Sequence, residues 1–182
     1  MVGTQWKPFG SLNTPQVLAH RGASAVEVEN TLLAFHRAKE FGAHAVELDV
    51  RLCQSGEMIV HHNPALGDGR QINLLNKGEL PSHVCTLEEA LDACEGMWVN
   101  IEIKNDPSEP DFDPTEMLAD KVAAMLRGRG APDQWLVSSF RRQTIDAMHA
   151  SWPELPTAWL TMTVDDAQAE NVAAELRASG HS

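Results

Sequence analysis

The sequence predicts an α/β domain built on a parallel sheet. Two observations carry that prediction. Short β-rich runs alternate with longer helical stretches along the 182 residues, an alternation that implies helical crossovers between parallel strands. Four of the runs end in polar residues able to do chemistry, and the carboxyl edge of such sheets and barrels is where sites are built.

Gln16–Ala19 reads as a buried strand. Thr31–Phe41 reads as a helix, because Leu32, Phe35 and Ala38 fall on one stripe, edged by the Lys39 stem. Gly42 ends it. Ala45–Val50 is the second strand and Met58–His61 the third. Leu87–Ala93 reads as a short helix, with Thr86 and Glu89 spaced as a capping box. Trp98–Ile103 is a strand. Pro114–Leu126 is a helix opened by proline, whose missing N–H costs nothing in the first turn. Gln134–Val137 is a strand, Gln143–Ala150 a helix, Thr157–Leu160 a strand and Asp165–Ala178 a last helix. Pro64–Val84 breaks the rhythm and reads as an insertion after the third strand; excursions longer than ~15 residues are usually functional. A second polar stretch, Asn105–Pro114, follows the fourth strand directly. No linker divides the chain, so residues 1–182 are read as one domain.

Composition narrows the function classes. The net charge is −12 and 43% of residues are hydrophobic. That fits a globular domain and argues against a sequence-independent grip on nucleic acid, which needs a basic face. No apolar run reaches the ~18 residues of a membrane span. The N-terminal stretch lacks a basic-then-apolar leader pattern. Cys53, Cys85 and Cys94 match no zinc spacing and read as reduced thiols. With the absent leader, they make a cytoplasmic location the expectation.

The chemistry sits where strands end. Glu47 and Asp49 are i and i+2 on one strand, so both carboxylates project to the same face. Among parallel neighbours such a pair is not solvated, and it calls for a cation. A hard divalent ion suits oxygen ligands, and Glu102 can add a third carboxylate. The same pair alone also fits acids matched to Lys or Arg at a strand end. Lys104, two residues beyond Glu102, reads either as its salt-bridge partner or as a phosphate contact. His20, Arg21 and Gly22 suggest a proton shuttle, a guanidinium for phosphate and a close backbone approach. His62 is the second acid/base candidate, because alternation along the strand turns His61 to the opposite face. His36, His44, His83, His149 and His181 read as surface residues. A metal, two histidines, an arginine and a lysine together suit cleavage of a phosphate ester.

The stretches His20-Arg21-Gly22, Glu29-Asn30-Thr31, Gly42-Ala43, Glu47-Leu48-Asp49-Val50, Gly56, His62 and Glu102-Ile103-Lys104 resemble, in order and spacing, the glycerophosphodiester phosphodiesterase family. Leu87-Glu88-Glu89-Ala90-Leu91 and Ser139-Phe140 fit weaker family positions, and Pro64–Val84 sits where the family carries its insertion. The resemblance implies a (β/α)8 TIM barrel. It implies hydrolysis of glycerophosphodiesters to sn-glycerol 3-phosphate and an alcohol, with Mg2+ or Ca2+, and so a place in glycerol and lipid metabolism. Carried over by position, His20 and His62 are the acid/base pair, Glu47, Asp49 and Glu102 the metal ligands, and Arg21 and Lys104 the phosphate contacts. In the family's scheme a glycerol hydroxyl attacks phosphorus and a cyclic phosphate forms before water opens it.

The chain departs from the family pattern at Asn63, Cys53, Ser55 and His44. Asn63 stands where the family usually has Asp, and brings no negative charge to the neighbouring histidine. A full barrel typically takes ~250 residues, and the six strands read here lack the last two strand–helix units. Three readings of that shortfall stay open: a piece of a longer protein, a second copy covering the open edge, or a tail that folds differently. Two alternatives to the small-diester hydrolase accompany them. A lysophospholipase D-like enzyme would need an apolar surface, for which Leu66, Ile72, Leu74 and Leu75 in the insertion are candidates. A shortened, inactive relative would bind phosphate or a partner without turnover.

Overall fold

In the computed structural model, residues 16–162 are described. The expected helix Asp165–Ala178 lies outside them. Six strands form one sheet: β1 Leu18–His20, β2 Ala45–Leu52, β3 Met58–Val60, β4 Trp98–Ile103, β5 Trp135–Ser139 and β6 Thr157–Trp159. Four α-helices cover it: α1 Leu32–Glu40, α2 Leu87–Ala93, α3 Met117–Arg129 and α4 Arg142–Ser151. The order β1-β2-β4-β5-β6 is parallel throughout, as in a partial (β/α) barrel.

β3 differs from expectation. It pairs antiparallel with β2, Val50 opposite Val60 and Leu52 opposite Met58. Only residues 53–57 join the two strands, too few for the crossover of a dozen or more residues that a parallel return requires. Gly56, at φ 85°, closes this hairpin with its N–H on the Cys53 carbonyl at 2.9 Å. The parallel path among the described residues therefore has five members, and β3 is an appendage that carries the histidine segment back over β2.

The core lies between the sheet and the helices. Val46, Leu48 and Val50 on one face of β2 pack with Phe35 and Ala38 of α1, Leu87, Ala90 and Leu91 of α2, and Val122 and Leu126 of α3. Thr31 caps α1 by accepting the Ala34 N–H at 3.2 Å, and the Thr86–Glu89 capping box opens α2 as the spacing predicted. α3 starts three residues later than expected. The Asp113 carboxylate accepts the N–H groups of Thr115 and Met117 at 2.8 and 2.9 Å, a local alternative to helical bonding. Glu116 then adopts φ 58°. All three cysteines are free and buried; burial pushes the Cys85 and Cys94 thiols up to about 12.

The insertion forms its own small core. Leu66 and Ile72 are buried with Ile59 and Leu80, and Leu75 packs against them, leaving Leu74 exposed. Three of the four residues that could have offered an apolar docking surface are therefore spent on internal packing.

After β1 the chain turns sharply. Arg21 has φ 57° and Gly22 φ 81°. A Cβ at Gly22 would sit 2.8 Å from the Ala34 main-chain carbon, so helix α1 approaches the turn as closely as glycine allows. Gly22→Ala combines a disfavoured φ with this clash. It is expected to cost about 1–3 kcal/mol of stability, read as a lowered urea midpoint at unchanged m-value.

Candidate active site at the carboxyl edge of the sheet

Strand register assembles the site. His20 pairs with Glu47, and Asp49 pairs with Glu102. Parallel partners in register point to the same face, so β1, β2 and β4 each place a functional side chain on the face away from the helices. Glu47, Asp49 and Glu102 are all buried, and one carboxylate oxygen from each lies within 4.8 Å of the others.

Cations and amides hold this cluster. Lys104 Nζ lies 2.9 Å from Asp49 Oδ1 and also binds Glu102 Oε1. Arg21 Nε is 3.3 Å from Asp49 Oδ2, and Arg21 Nη1 reaches Glu29 at 3.0 Å. The Arg21 main-chain N–H donates to Glu47 Oε2 at 3.0 Å. Asn30 Nδ2 donates to Asp49 Oδ2 at 2.8 Å, and its Oδ1 accepts the Asp49 N–H at 3.3 Å. His20 Nε2 stands 3.8 Å from Glu47 Oε2, with most of its ring in solvent.

His62 lies just beyond β3. Its Nδ1 donates to Asn63 Oδ1 at 2.8 Å, which leaves Nε2 as the ring's free acceptor when neutral. His61 and His62 both line one small cavity with Glu29, Asn30 and His83, and His61 Nδ1 bonds the Asn63 carbonyl at 2.8 Å. β3 ends at Val60, and the two-residue alternation ends with it.

The electrostatics separate the carboxylates. Burial alone raises the Asp49 carboxyl, but Lys104, the Asn30 hydrogen bond and the charge of His62 outweigh it and hold Asp49 below its ordinary value. Glu47 goes the other way. Burial first, then the neighbouring Asp49 charge, push it up to about 7 against the pull of the Arg21 N–H. Its Oε1 is buried without a hydrogen-bond partner. Three converging carboxylates, one of them carrying an orphaned oxygen, fit a hard divalent cation.

Residues 20–182 match the sequence profile of the glycerophosphoryl diester phosphodiesterase family. The chain belongs to this family. Membership places it among the phosphoric diester hydrolases, with glycerophosphodiesters as the substrate class. It is 30% identical to the glycerophosphodiester phosphodiesterase of Bacillus altitudinis over 173 residues, 82% of this chain and 67% of that one. Among solved structures, the Thermotoga maritima glycerophosphodiester phosphodiesterase superposes with TM-score 0.74 at 27% identity, covering 93% of this chain and 73% of that one. An Oleispira antarctica phosphodiesterase, solved with the product sn-glycerol-3-phosphate, gives TM-score 0.73 at 26% identity and covers 92% and 82%. The chain spans 62% of the length of the glycerophosphodiester phosphodiesterase of Bacillus subtilis. No helix among the described residues is long and apolar enough to cross a membrane.

Hydrogen bonds and ion pairs thus join His20, Arg21, Glu47, Asp49, Glu102 and Lys104 in one cluster. His62 lines the adjoining cavity with Glu29 and Asn30. Sequence reasoning assigned no role to two further residues. Asn30, at φ 57° and buried, orients Asp49 from just ahead of the α1 cap. Arg51 is buried on β2, in phase with Glu47 and Asp49. The alternation of residues 47, 49 and 51 was the available signal for it.

In metal-free protein the raised Glu47 value has a definite sign. Its contribution to stability is full below the ordinary 4.5 and is lost as pH rises through about 7. A divalent ion must displace that proton. Affinity for Mg2+ or Ca2+, measured by calorimetry, is therefore expected to climb by about tenfold per pH unit up to neutrality. Glu47→Gln should bind weakly with a much flatter dependence.

Proposed function

We propose that this chain hydrolyses small glycerophosphodiesters to sn-glycerol 3-phosphate and an alcohol at the carboxyl edge of its sheet, with a divalent cation, Mg2+ or Ca2+, held by Glu47, Asp49 and Glu102. The observation that carries this reading is the buried carboxylate triad with Arg21 and Lys104 beside it. Bound there, the cation supplies Lewis-acid stabilisation of phosphoryl charge.

The chain's own residues do the rest. Arg21 and Lys104 lie where a phosphate can exchange carboxylate partners for its own oxygens. The substrate brings its nucleophile with it, a glycerol hydroxyl vicinal to the ester, and tethering gives that hydroxyl a large effective concentration. One imidazole of the His20–His62 pair takes the hydroxyl proton as the new P–O bond closes a cyclic phosphate. The other gives a proton to the departing alcohol oxygen as the old P–O bond breaks. Water then opens the ring, with the two histidines exchanging roles. His20, largely in solvent, can exchange its proton with bulk water between turnovers.

Release of glycerol 3-phosphate from glycerophosphocholine is expected to require a divalent ion and to stop on chelation. Glu47→Ala and His62→Ala should each lower turnover by several orders of magnitude, of which acid–base catalysis alone accounts for about 10²–10⁴-fold. Near-normal turnover by either variant would reject the role given to that residue. Comparison with lysophosphatidylcholine separates this reading from a lipid-cleaving one.

A further inference from the structure

Arg51 is buried, with 1% of its surface exposed, and all its partners lie on two segments that flank the site. Its Nε and Nη2 donate to the main-chain carbonyl of His62 at 2.9 and 2.6 Å. Its Nη1 binds Asp111 Oδ2 at 2.6 Å, and Nη2 binds Glu109 Oε1 at 3.0 Å. One guanidinium therefore joins the end of β3 to the loop that follows β4. A planar fork of donors is suited to this task, and a lysine cannot serve all three acceptors in that geometry.

His62 needs such an anchor. It lies two residues past the end of β3, one past His61, whose N–H makes the last bond to β2, on the Asp49 carbonyl at 3.0 Å. Its ring is held at Nδ1 by Asn63, itself an exposed residue. The bifurcated pair of bonds from Arg51 is thus the buried fixture on the His62 main chain, and the acidic pair on the loop neutralises the charge that makes this burial tolerable.

We propose that Arg51 is a positioning residue for the reaction, holding His62 in register with the carboxylate triad by clamping its carbonyl to the Glu109–Asp111 loop. This inference rests on the acid/base role given to His62. Displacing a reacting group by about 1 Å costs on the order of 10²-fold in rate. Removing the clamp should act on turnover and leave cation and substrate binding in place.

The test neutralises the ion cluster as a unit. Replacing Arg51→Met together with Glu109→Gln and Asp111→Asn leaves no unpaired buried charge, a change that buried ion clusters commonly tolerate. Turnover of glycerophosphocholine is expected to fall about 30–100-fold, with KM and the calorimetric Kd for Mg2+ each within about threefold of the parent. Arg51→Lys should recover part of the loss. In a His62→Ala background the triple replacement should cost less than about threefold, because coupled residues are non-additive. Parental turnover in either the triple variant or Arg51→Lys would overturn the proposal. So would an equal loss with and without His62, or a collapse of Mg2+ binding along with turnover. Undiminished turnover by His62→Ala alone would instead remove the assignment of His62, a result distinct from failure of the clamp. Should the triple variant not fold, Arg51→Lys and its combination with His62→Ala decide the matter by the same criteria.

Discussion

Like-charge crowding in a dry interior is the constraint around which this structure is arranged. Three carboxylates converge on one buried spot, and two unit charges ~5 Å apart repel by about 3 kcal/mol even at an effective dielectric near 20. The protein meets this unevenly. Asp49 receives Lys104, Arg21 and Asn30, and Glu102 shares the lysine. Glu47 receives a backbone N–H and a distant imidazole. The asymmetry leaves one carboxylate ready to hold a proton, which relieves the repulsion within the cluster.

The backbone around the site is bent to serve the same cluster. Aiming the Arg21 N–H at Glu47 requires a left-handed residue at position 21 and glycine at 22, with α1 pressed against the turn. Asn30 is also left-handed, and asparagine tolerates that region better than most residues. Its position brings an amide to Asp49 from the start of α1. Strain at these two points is offset by the hydrogen bonds they make to the carboxylates. The active-site turn and the first helix are consequently one structural unit, and a change at either end is felt by the triad.

Much of this was legible in the chain and some was not, for identifiable reasons. Glu47, Asp49 and Glu102 could be grouped because strand alternation is strict and parallel register aligns neighbours. The α2 capping box could be read because its two residues are three apart. The direction of β3 is not legible in Met58–Val60 itself, whose apolar run suits a parallel core strand equally well; the decisive feature is the shortness of the preceding turn. Pro114 pointed to a helix start that Asp113 displaced by capturing nearby N–H groups. Arg51 escaped notice because its partners lie about sixty residues away on a loop, and long-range ion pairs leave no periodicity in a sequence.

A net charge of −12 sits awkwardly with an anionic diester until the acidic groups are followed to their partners. Near the site, Arg51 balances one of the two charges of Glu109 and Asp111, and Glu116 is taken up by Arg141, Asn105 and Thr144. Glu29 pairs with Arg21. The compensation is partial: Arg21 is shared between Glu29 and Asp49, and Asp113 is held by N–H groups, not by a cation. Arg21 and Lys104 hold Asp49, and they are the two cations beside the triad. On the proposed reading a divalent cation at the triad would add positive charge where Arg21 and Lys104 already stand, so an anionic diester would meet cations locally in a chain that is acidic as a whole.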